Sequence, residues 1–159
     1  MTPGEAMNFQ AILVATDFSE CSGAAFQAAQ KLARTFQAKL ILVHVISLRR
    51  LEALSEFMHL EPDTLIPKLK QRAEARLDEF LQRYGGGDLS PESVVAVGLP
   101  FQEIAVLARD LAVDLIVLGG YGSAGRGPIE EVFFGSTAEK VVRLLPCPVL
   151  VVPGPPSES

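Results

Sequence analysis

The sequence predicts an α/β domain built on a doubly wound sheet of five parallel strands, with helices on both faces. Three observations carry this. Five short apolar runs recur along the chain: AILVA, KLILVHVI, SVVAVG, DLIVLG and PVLVV. Continuous apolar runs of strand length are what a sheet covered on both faces requires. Between them lie segments whose apolar residues fall at spacings of three and four, the period of a helix buried along one stripe. The 159 residues suit one domain with its own core, and crossovers between parallel strands are right-handed, which places helices on both sides.

The elements follow in order. The first strand spans Ala11 to Ala15. Ala25, Ala28, Ala29, Leu32, Ala33 and Phe36 then form an amphipathic stripe. The second strand spans Lys39 to Ile46. The link from Ser47 to Asp63 is long for a βα connection; Arg49, Arg50, Leu51, Leu54 and Phe57 give it a mixed face suited to a short helix. Leu65, Leu69, Ala73, Leu77, Phe80, Leu81 and Tyr84 mark the next helix, which Gly85, Gly86 and Gly87 stop. The third strand spans Ser93 to Gly98. Pro100 suits a first helical turn, and Phe101, Ile104, Ala105, Ala108, Leu111 and Ala112 line the helix after it. The fourth strand spans Asp114 to Gly119. A glycine-bearing loop leads to a last helix from Ser136 to Leu145, ended by Pro146, and the fifth strand spans Pro148 to Val152. Residues 8–153 form the expected domain, with 1–7 and 154–159 as flexible termini.

Composition excludes several function classes. The formal net charge is -5, which disfavours nucleic-acid backbones and anionic membranes. No apolar run approaches the ~20 residues of a membrane helix, and the start MTPGEAMNFQ lacks a signal-peptide pattern. Cys21 and Cys147 form neither a disulfide framework nor a zinc site. A cytoplasmic protein is expected.

The stretch that carries chemistry is GGYGSAGRGPIEEVFFGST, Gly119 to Thr137, between a buried strand and a helix. Glycines admit positive φ and let a ligand reach the main chain. Successive N–H groups make an anion-binding concavity, and a helix starting near Ser136 aims its N–H groups and positive dipole end at the same place. Ser136 and Thr137 add hydroxyl donors. A reading without a ligand stands beside this one: Ser136-x-x-Glu139 is also a capping box, and glycines can simply make a loop. Asp17, after the first strand, is a ligand position in open α/β sheets or a cap for the following helix. His44, inside an apolar strand, reads as a satisfied core histidine, and Cys147 as a small buried residue.

Several of these segments resemble the universal stress protein family. ILVATDFSE is similar to its opening strand and turn, and LILVHVI to its second strand. GLPFQEIAVLARDLAVDLIVLG is similar to its Gly-x-Pro helix and fourth strand, and GSTAEKVVRLLPCPVLVV to its C-terminal signature. The resemblance implies a Rossmann-like sheet in the order 3-2-1-4-5. It also implies the ATP-binding subgroup, marked by Gly122-x2-Gly125-x9-Gly135-Ser136. Ala15, Thr16 and Asp17 would then line the ribose and adenine, and Val45 would pack on the base. Gly122, Gly125, Gly135, Ser136 and Thr137 would cradle phosphates bridged by Mg²⁺ or Mn²⁺. Gly119 and Gly122 are an alternative first glycine pair, and Arg126 is either a phosphate contact or a solvated loop charge. The family commonly forms homodimers through the last strand, here 148–152. The expected role is a stress-response and signalling module with at most slow ATP hydrolysis. No Walker lysine, Ser-His-Asp set or H-E-x-x-H is present. The alternatives are a nucleotide-free interaction module and a binder of AMP or cyclic AMP.

Overall fold

The computed structural model describes residues 8–120 and 147–154. Its strands are β1 (Ala11–Ala15), β2 (Lys39–Ser47), β3 (Glu92–Gly98), β4 (Leu115–Gly119) and β5 (Val149–Val152). Its helices are α1 (Glu20–Phe36), α2 (Leu48–Met58), α3 (Pro62–Tyr84) and α4 (Pro100–Asp110). The sheet is entirely parallel, in the order β3-β2-β1-β4-β5, as the sequence leads one to expect. The helix expected from Ser136 to Leu145 lies outside the described residues.

Alternation along the strands divides the core into two layers. Ile12, Val14, Leu40, Leu42 and Val117 face α1 and α3, where they meet Phe26, Ala29, Leu77 and Phe80. Leu13, Ile41, Val43, Ile116 and Leu118 face the other way, toward Ile104 and Ala108 of α4. Phe26 is fully buried and meets Phe80 edge-on at 5.5 Å between ring centres. Gly23 lets α1 approach α3: a Cβ there would collide with the Tyr84 ring.

Boundaries shift from the sequence reading where a specific group takes over. Asp114 stops short of β4; its carboxylate accepts from the Gln10 and Ala11 N–H groups at 2.8 and 3.0 Å, which ties down the start of β1. β5 begins at Val149 because Pro148 has no N–H to give, although its carbonyl still accepts from Ile116 N at 3.0 Å. The link from Ser47 to Asp63 is mostly helix: α2 fills it and packs on α3 and β2. Gly85 caps α3 and Pro100 opens α4, both as read from sequence.

Candidate functional site

β1 is the centre of the sheet. The chain leaves it toward β2 and β3 on one side and returns beyond it through β4 and β5 on the other. The strand order therefore reverses between β1 and β4, and in such sheets ligands sit beyond the carboxyl ends of the strands at that point. The turn after β1 forms one wall.

That turn is held by its own side chains. Thr16 is buried, and its N–H donates to Val43 O at 2.8 Å. The Ser22 hydroxyl donates to Ser19 O at 2.8 Å, so the Thr16 hydroxyl donates to Ser22 Oγ at 2.8 Å and accepts from Phe18 N at 2.9 Å. Ser19 is the N-cap of α1 and accepts from Ser22 N. Asp17 Oδ1 accepts from the Ser19 N–H at 3.1 Å and the Ser19 hydroxyl at 2.5 Å. Asp17 thus supports the cap rather than forming it, and its negative charge stands where the α1 dipole favours an anion.

Phe18 takes a left-handed conformation, φ 69°, uncommon for a bulky residue. Its ring lies between the His44 imidazole, 4.3 Å away between centres, and the Arg76 guanidinium, 4.1 Å above it. His44 Nδ1 lies 2.8 Å from Thr16 O. A carbonyl only accepts, so Nδ1 carries the proton. Burial pushes the His44 pKa below its usual 6.5. The Thr16 bond opposes that shift, Arg76 and Arg50 reinforce it, and Asp17 opposes it. The sequence reading of His44 as a satisfied histidine holds, with one addition: it clamps the turn that carries Asp17.

Ala15 and Val45 lie on the opposite face of the sheet, half-buried against the α4 layer. Gly119 ends β4 against the first turn of α1, where Cys21 is buried. The Gly120 N–H donates to Val152 O at 2.9 Å, which fastens the ends of β4 and β5. The structure thus gathers Ala15, Thr16, Asp17, Val45 and Gly119 at the carboxyl edge. Gly122, Gly125, Arg126, Gly135, Ser136 and Thr137 lie outside the described residues. Among the described residues no group of three His, Cys, Asp or Glu side chains could hold a metal. No helix among them is long and apolar enough to cross a membrane. Cys147 is half-buried rather than buried, because it precedes the edge strand. Burial raises its thiol pKa, Asp114 adds to the rise, and a backbone bond from Ile116 opposes it.

A separate concavity of about 540 Å³ lies where α1 and α3 end, lined by Gln27, Lys31, Tyr84 and Gly87 among others. Gln30 and Arg34 there both donate to Gly86 O. The concavity sits at the other end of α1 from the Thr16–Ser22 turn.

Sequence reasoning missed Phe18, Ser19 and Ser22. Ser19-x-x-Ser22 has the spacing of a cap and was legible. A left-handed phenylalanine has no signature in a single sequence.

The comparisons with known proteins agree with this architecture. The chain matches the model described as Universal stress protein family over residues 8–153. It is 31% identical over 150 residues to universal stress protein YxiE of Bacillus subtilis, covering 91% of this chain and 99% of that one. It is 26% identical over 156 residues to universal stress protein MJ0577 of Methanocaldococcus jannaschii, covering 91% and 94%. The solved structure of MJ0577 superimposes with a TM-score of 0.78 at 28% identity, covering 95% of this chain and 100% of that one. A universal stress protein solved in complex with cAMP gives a TM-score of 0.58 at 25% identity, covering 94% and 100%. With the sheet order and these matches in agreement, the chain belongs to the universal stress protein family.

Proposed function

We propose that this protein binds an adenine nucleotide, ATP foremost, at the carboxyl edge between β1 and β4, and acts as a stress-response and signalling module in the cytoplasm. Hydrolysis is at most slow. The observation that carries the reading is the reversal of strand order between β1 and β4, flanked by a turn whose hydrogen bonds are already made. A pre-formed wall lowers the ordering cost of binding.

The residues present suit a nucleotide in three respects. Ala15 and Val45 offer small, half-buried apolar surface for a base. Asp17 brings a carboxylate, the group that accepts from sugar hydroxyls. The glycine segment follows β4 directly in the sequence. In this reading Gly122, Gly125, Gly135, Ser136 and Thr137, with Arg126, receive the phosphates. Mg²⁺ or Mn²⁺, held with the phosphates by these residues, would neutralise their charge. Homodimers form through β5, an edge strand with Leu150 exposed. A relative solved with cAMP favours a second reading, in which a nucleoside monophosphate or its cyclic form occupies the same edge.

The test is to denature freshly purified protein and identify any released nucleotide by chromatography and mass spectrometry, with Gly135→Val as control. ATP or ADP near one per chain, and little from the variant, is the expected result. An empty protein that also fails to bind added Mg-ATP, AMP or cyclic AMP would remove the nucleotide reading.

A further inference from the structure

Four of the seven large apolar side chains exposed among the described residues are Leu48, Phe57, Met58 and Leu60, all on or just after α2. Phe57 is 83% exposed, which is unusual for so large an apolar ring. Leu51 is the buried residue of this helix and marks its inward side. At about 100° per residue, Arg49, Ala53, Glu56 and Phe57 stand on the outward side, with Arg50 at its margin. All five are exposed.

The charges on this face run the wrong way for an isolated helix. Arg49 and Arg50 sit at the start of α2, and Glu56 near its end. The first turn holds no acid and the last turn no base. A helix dipole favours the opposite arrangement. The pattern therefore costs the helix something locally. It becomes favourable when a second helix of the same charge order lies antiparallel against it.

We propose that the outward face of α2 binds a second copy of this chain, with the two helices antiparallel about a two-fold axis at Ala53. Counting equal steps from Ala53, Arg50 meets Glu56 of the second copy, and Arg49 meets the ring of its Phe57, a cation–π pairing. Ala53 meets Ala53, which leaves little bulk between the helix axes. Each dipole's positive end also lies beside the other's negative end. The face is self-complementary, as a two-fold interface must be. A partner of one charge sign would fit one end of α2 and be repelled at the other, and that favours a second copy over a basic or acidic segment. One helix pair is a small interface, so the association is weak and concentration-dependent. It is independent of nucleotide binding and of any pairing at β5.

Sedimentation equilibrium of the full chain, from low micromolar to near-millimolar, tests this. The weight-average mass of the wild type should rise to at least about twice that of Phe57→Ser at the top of the range. Arg50→Glu alone and Glu56→Arg alone should each behave like Phe57→Ser, because each places like charges opposite one another. An equimolar mixture of these two variants should recover the wild-type mass, since every facing pair is then opposite in sign. All three positions are exposed, and circular dichroism would check that each variant folds. Wild-type mass in Phe57→Ser, or a mixture no heavier than its separate components, would overturn the proposal.

Discussion

A Cβ at Gly119 would lie 2.9 Å from Cys21 Sγ and 3.1 and 3.2 Å from the Cys21 carbonyl carbon and oxygen. Gly119 was singled out in the sequence as a ligand contact, yet its neighbour in the fold is the first turn of α1. Gly119→Ala should therefore destabilise the nucleotide-free protein by about 1–3 kcal/mol, the cost of overpacking, as measured by urea unfolding. Cys21→Ala in the same chain, which removes the Sγ and keeps a good helix former, should recover only part of that loss, because two of the three close atoms are backbone. Asp17 separates its roles in the same way. Asp17→Ala should cost about 0.5–2 kcal/mol through the weakened cap, and Asp17→Asn, which keeps an acceptor for Ser19, should recover most of it. Nucleotide affinity, on the reading proposed above, should fall in both. For His44 the folded pKa lies below the unfolded 6.5. Its neutral form thus contributes stability that is present above 6.5 and lost as pH falls through the lower folded value. A proton NMR titration of the imidazole should show a midpoint below 6.5; one above it would mean that burial does not dominate.

At the scale of elements, the sequence was most legible where period and punctuation agreed. The stripe from Ala25 to Phe36 gave α1, and the glycines at 85–87 gave the end of α3. Apolar runs gave all five strands to within a residue or two. It was less legible where a side chain competes with the backbone. Asp114 reads as the first residue of a strand, but its carboxylate caps the start of β1 instead. The turn from Thr16 to Ser22 was visible as a resemblance, whereas its network depends on a hydroxyl chain and a left-handed Phe18 that no spacing rule encodes. Within the core, Phe26 joins α1 to α3 through Phe80. Phe26→Ala should cost about 3–5 kcal/mol, read as a lower urea midpoint with unchanged slope.

At the scale of the molecule, the strand order was legible as a family resemblance and followed from chemistry only in part. Continuous apolar runs require a covered parallel sheet, and right-handed crossovers limit its winding, but neither chooses between orders. The choice becomes visible in the packing. β1, β2 and β4 carry the deeply buried runs, and β3 and β5, at the two ends of the sheet, are half-exposed. The site follows from that order, since the reversal exists only where β1 has β2 on one side and β4 on the other.

The same order bears on synthesis. β4 is buried along Leu115 to Leu118, and the strand that covers its outer edge, β5, leaves the ribosome after the other four. Until Val149–Val152 emerge, a nascent chain carries LIVLG as an open, apolar margin ready to pair with any extended peptide. Chains cut short before Val149 should therefore accumulate in the insoluble fraction, while the sheet from β3 to β4 already has its neighbours. β5 acts as a seal on a sheet whose other four strands precede it.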